Sequence, residues 1–247
     1  MVAISAFPSL GMHKTAPFWS RYFAQNTERW EEFSQTFEPQ RLTLNPDFIK
    51  SLQMFQLGEQ SEGRCLMHLA QQYGDTHGDP EYIKAIQQFI KEEQRHAHFL
   101  KLALQNNESV VIEKDWTDTL FRKIRRLCDL EMMISVLFTA EIIAVAYYGC
   151  LAKASEHPLA RSLFERICQD EAMHLKFHGE HLRKLRSQGR CITLRSGVNR
   201  LFVWLVAGMV WREHYGVLGQ TFESFGEFLK RCDGQLSQAI SGPIELI

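Results

Sequence analysis

The sequence predicts an all-α fold in which four long helices form a bundle and two additional helices follow it. Three observations lead there. Apolar residues recur with a helical period through residues 47–187, and no segment reads as a strand pair with turn chemistry. In addition, two of the long helices begin alike and carry the same acid-Glu-x-x-His pattern. With 247 residues, 45% of them apolar, the chain is long enough for a single domain with a substantial core.

Residues 1–45 read as irregular, with one short helical candidate at 27–37. The first long helix is predicted over 45–74, from an Asn-Pro-Asp cap signal to Gly74. The second covers 80–105 and starts on Pro80. The third covers about 118–154, with a break and a clear core at 129–154. The turn Ser-Glu-His-Pro leads into the fourth, over 158–187, which Gly189 ends. Two further helices are expected over 197–215 and 220–239.

Composition excludes some functions. A net charge of −1 gives no sign of a nucleic-acid or membrane partner. The basic clusters at 123–126 and 181–190 read as solvated helix faces, because no aromatic interleaving accompanies them. The six cysteines (Cys65, Cys128, Cys150, Cys168, Cys191 and Cys232) form no Cys-x-x-Cys pair and read as reduced thiols of a cytoplasmic protein. Residues 1–14 do not resemble a signal peptide. The most apolar stretch, 201–211, is too short to span a bilayer and is expected to be a buried helix.

The chemistry lies in a set of acids and imidazoles. The second helix carries Glu92, Glu93 and His96, and the fourth carries Asp170, Glu171 and His174. In each, a Glu and a His three residues apart share one helix face and can reach one metal ion. At ~100° per residue, Ile86, Phe89, Ala97 and Leu100 fall within about 40° of Glu93. Glu171 and, on the third helix, Glu141 are likewise centred on apolar stripes. A lone carboxylate is costly to ionise in such a setting, and metal coordination is one solution. On the first helix Glu59 is the central acid, with Glu62, ~60° to one side, as the alternative. Each hairpin brings its two acids to one level. Four carboxylates balance two divalent ions, and carboxylate with imidazole suits iron, with manganese or a mixed manganese–iron pair as alternatives. Glu92 and Asp170 could accept the free N–H groups of the histidines. His178 also faces inward, as a hydrogen-bonded core residue or an extra ligand. His98 and His181 are expected to be partly exposed. Phe55, Phe89, Leu100, Phe138, Tyr148 and Phe164 are candidates for an apolar lining.

The arrangement Glu59-x33-Glu93-x-x-His96, then Glu141-x29-Glu171-x-x-His174, resembles the ferritin-like di-iron carboxylate superfamily over about residues 47–187. Gly58-Glu59-Gln60 is similar to the first ligand helix of rubrerythrins and of aldehyde-deformylating oxygenases, which favours Glu59. The four-Glu, two-His set resembles the oxygen-activating branch. That resemblance implies a di-iron oxidase or oxygenase acting on a small or fatty organic substrate with O2 and an external electron donor. A homodimer is one assembly the C-terminal helices could support. A radical-generating subunit is disfavoured, because Leu100 stands where the radical Tyr is expected. Ile167 stands where N-oxygenases carry an additional His. The alternatives are ferroxidase or iron-handling activity without an organic substrate, and a metal-free structural bundle.

Overall fold

A computed structural model describes residues 16–60, 63–113, 129–187 and 192–241, and among these no strand occurs. The helices are α1 (Ala16–Thr36), α2 (Pro46–Glu59), α3 (Arg64–His77), α4 (Pro80–Asn106), α5 (Leu130–Ala154), α6 (Pro158–Ser187), α7 (Ile192–Glu213), α8 (Tyr215–Leu218) and α9 (Phe225–Ser241).

The start signals work as the chemistry requires. Asn45 accepts a hydrogen bond from the Asp47 amide at the head of α2, Asp79 from Tyr82 at the head of α4, and Asp129 from Met132 at the head of α5. Pro46 and Pro80 stand in first turns, where a missing N–H costs nothing. α5 and α6 form an extensive hairpin, and α2 and α3 both pack on α4. Phe138 and Phe164 are fully buried between these elements, and burial of each side chain stabilises by roughly 1.5–3 kcal/mol.

Three expectations need correction. The first concerns the N-terminal segment: residues 16–36 form a helix rather than an irregular stretch. Trp19, Tyr22, Phe23, Asn26 and Trp30 recur at helical spacing and bury one face of α1, which packs chiefly on α4. The second concerns the helix expected over 45–74, which is two helices, α2 and α3. Gly74 lies inside α3, and the chain turns at Gly78 with φ +64°. At Gly63 and Gly74 the absence of Cβ lets α3 approach α4, since a methyl there would collide with Ile90 and Ile83 respectively. The third concerns 201–211, which is only half covered: Leu201, Trp204 and Leu205 are exposed on α7.

One helix, Leu130–Ala154, is long and apolar enough to cross a membrane, but 83% of its most apolar window is buried in the fold, as befits a core helix. α9 packs on both α5 and α6, and Arg183 donates to the Ala239 carbonyl to hold it there. The predicted break before 129, the basic cluster 123–126, the expected end at Gly189, and Cys128 and Cys191 lie outside the described residues.

Candidate metal centre

Four elements deliver the centre. The last residue of α2 is Glu59, α4 supplies Glu93 and His96, α5 supplies Glu141, and α6 supplies Glu171 and His174. Their ligand atoms form two groups, each within 4.8 Å: Glu59, Glu93, His96 and Glu171, then Glu93, Glu141, Glu171 and His174. Glu93 and Glu171 belong to both groups and would be shared if two ions were bound. Glu62 lies outside the described residues.

The imidazoles point inward through Nδ1. His96 Nδ1 lies 3.0 Å from Glu171 Oε1, and His174 Nδ1 lies 3.0 Å from Glu93 Oε1 and 3.7 Å from Glu141 Oε2. Despite this proximity, Glu93 Oε1, Glu171 Oε1 and His96 Nδ1 are buried and make no hydrogen bond among the described residues. Convergent donor atoms without hydrogen-bond partners fit a pair of coordinated cations.

A second layer holds these ligands. His96 Nε2 is 3.1 Å from Asp170 Oδ2 and His174 Nε2 is 3.3 Å from Glu92 Oε2, so each half of the bundle holds the imidazole of the other. A carboxylate accepting at Nε2 places the N–H there and leaves the Nδ1 lone pair for a metal. Asn26 of α1 ties the two acids together, with its amide nitrogen donating to Glu92 and, at 2.8 Å, to Asp170. Arg166 donates to the Asn26 carbonyl oxygen at 2.5 Å, and the Trp30 indole donates to Asp170 at 2.6 Å.

The electrostatics ask for positive charge. Burial and the neighbouring Glu93 and Glu171 carboxylates push Glu59 well above the usual carboxylate range. Burial and Glu171 do the same to Glu141. Glu171 is held well below that range: burial opposes this, but Glu141, His174 and His96 close around its carboxylate prevail. Asp170 is lowered against burial by its hydrogen bond with His96 and by the charges of His96 and Arg166. Burial would lower His96 and His174, but the surrounding carboxylates raise both. Mutual repulsion among buried acids is the demand that two divalent cations meet.

Several side chains take roles the sequence did not disclose. Tyr148 is not merely apolar lining, since its hydroxyl donates to Glu59 Oε1 at 2.6 Å. Asn26, Trp30 and Arg166 were missed entirely, although the stripe from Trp19 to Trp30 could have exposed the first two. His181 is buried rather than partly exposed. It stacks on Tyr82 with ring centroids 3.9 Å apart, and burial lowers its pKa to about 3. His98 is exposed, as expected. His178 is fully buried, with Nε2 3.6 Å from Glu141 Oε1. Phe55 stacks on Tyr147, while Phe89 packs edge-on against His174. Leu100, Phe138 and Phe164 are packed core residues.

The rubrerythrin family model matches residues 50–186, a span that contains every candidate ligand together with Glu92 and Asp170. No curated protein and no solved structure matches the chain. α1 and α7–α9 fall outside the matched span, so Asn26 and Trp30 are contributed from beyond it. With the match covering more than half of the chain and the acid–imidazole cluster fitting a di-iron site, the chain belongs to the rubrerythrin family within the ferritin-like di-iron carboxylate superfamily.

Proposed function

We propose that this protein is a di-iron oxidase or oxygenase that uses O2 and an external electron donor to oxidise a small or fatty organic substrate. The observation that carries this reading is the crossed clamp, in which Glu92 holds His174, Asp170 holds His96, and Asn26 joins the two acids. Ligands locked from behind suit a centre that keeps its metals through repeated turnover, whereas an iron-storage site must release them.

Glu59, Glu93, His96, Glu141, Glu171 and His174 would hold two iron ions, which as a ferrous pair supply electrons for O2 reduction. The protein's own contribution is orientation, exclusion of water and placement of a proton. Burial, together with the Glu59 carboxylate, pushes the Tyr148 phenol well above its usual range. Tyr148 therefore keeps its proton, which it presents to Glu59 Oε1. Phe89, packed against His174 on the apolar side, helps keep bulk water away. Among the described residues Cys150, Cys168 and Cys232 are unpaired thiols, which supports a cytoplasmic setting.

The test begins with anaerobic loading of ferrous iron, followed by an O2 pulse and gel filtration. Retention of two iron ions per chain, with no further uptake on repeated additions, supports the proposal. Accumulation of many iron ions per chain would instead assign iron storage.

A further inference from the structure

We propose that His178 is a third imidazole ligand of the centre, binding through Nε2 the metal ion that Glu93, Glu141, Glu171 and His174 hold. The inference rests on the metal-binding part of the reading above and not on the oxygen chemistry.

Four observations carry it. The His178 side chain is fully buried, and neither ring nitrogen has a hydrogen-bond partner among the described residues. Buried polar groups are nearly always satisfied, and an imidazole nitrogen facing a carboxylate at a candidate metal centre is satisfied by coordination. Its Nε2 lies 3.6 Å from Glu141 Oε1, and Glu141 is one of the acids of the second ligand group. The spacing is right as well: His178 stands one turn beyond His174 on the same face of α6. Finally, aromatic rings hold it in place. Phe89 meets it edge-on with centroids 4.7 Å apart, and Phe177 lies at 5.1 Å. Phe89 also braces His174 at 4.8 Å, so one ring sets the orientation of both imidazoles.

The two similar helices make the difference plain. In α4 the position four residues after His96 is Leu100, a buried apolar residue. In α6 the equivalent position is His178. A core site that accepts Leu in one half carries a nitrogen donor in the other. The ion beside Glu141 would then have two imidazoles and the ion beside Glu59 one. Nitrogen-rich sites favour later divalent ions, so cobalt should fill the Glu141 side first.

The experiment uses the full chain loaded with cobalt(II) and counts exchangeable, paramagnetically shifted N–H protons by NMR in H2O against D2O. Each coordinated imidazole contributes one. Three such signals in the wild type, with one lost in His178→Gln and one cobalt ion bound at least ~10-fold more weakly, is the expected result. Two signals in the wild type would overturn the inference, and that count does not depend on the variant folding. Two signals would leave the di-metal centre standing, whereas failure to bind cobalt or ferrous iron at all would overturn both readings.

Discussion

Replacing Asn26 by Leu removes the link between the two halves of the centre while preserving most of the volume. Asn26 is almost wholly buried, and its amide nitrogen donates to the Glu92 and Asp170 carboxylates. Hydrogen bonds to charged groups contribute about 1.5–3 kcal/mol each. Losing both, and leaving Arg166 without its acceptor, should cost about 3–5 kcal/mol of stability. The effect on metal should be separable. With Glu92 and Asp170 no longer tied together, His174 and His96 lose their fixed orientation, and affinity should fall by roughly 10–100-fold. Urea denaturation of the metal-free protein measures the first effect, and competition with a chelator for iron or cobalt measures the second. A variant that keeps native helicity and binds metal within about threefold of the wild type would refute the idea that α1 supports the centre.

Further outcomes follow from the same geometry. Glu93→Ala and Glu171→Ala each remove an acid shared by both ligand groups, so each should lower metal content to one ion per chain or fewer by elemental analysis; full content in either would remove it from the ligand set. Tyr148→Phe should cost about 1 kcal/mol by denaturation while retaining both metal ions; loss of both ions would make Tyr148 more than a donor to Glu59. Because burial holds the carboxyl groups of Glu59 and Glu141 well above their ordinary range, they bind protons in the folded metal-free protein at pH values where the unfolded chain has released them. Stability of the metal-free form should therefore fall as pH rises above ~4.5 through those raised values, and metal loading near neutrality should release protons and tighten with pH. Calorimetry in buffers of different ionisation enthalpy measures the release, and none would contradict the electrostatic picture. Gly63→Ala should destabilise by about 1–3 kcal/mol through its collision with Ile90; a neutral result would mean that α3 and α4 are not so close.

Much of the fold was legible because local chemistry and global packing agree. Pro80 and Pro158 mark the starts of α4 and α6, and the apolar stripes around Glu93, Glu141 and Glu171 aim those acids into the bundle. α1 was obscured because its buried face is mostly aromatic and is interrupted by Asn26, a residue that reads as polar until its partners are known. The division between α2 and α3 left a trace in Gly58 and Gly63, which flank the acidic pair Glu59 and Glu62, yet the helical period runs on through both. The second layer could not be read from spacing. Asn26 lies 66 residues before Glu92 and 144 before Asp170, and only the tertiary fold brings them together. The burial of His181 is hidden from the sequence for a related reason, since it depends on stacking against Tyr82 from another helix.

Anomalous diffraction from iron-loaded crystals tests most directly whether Glu59, Glu93, His96, Glu141, Glu171 and His174 hold two metal ions. The account predicts two iron peaks per chain, one bonded to Glu59 and His96, the other to Glu141 and His174, with Glu93 and Glu171 reaching both. A single peak, or peaks away from these residues, would contradict it.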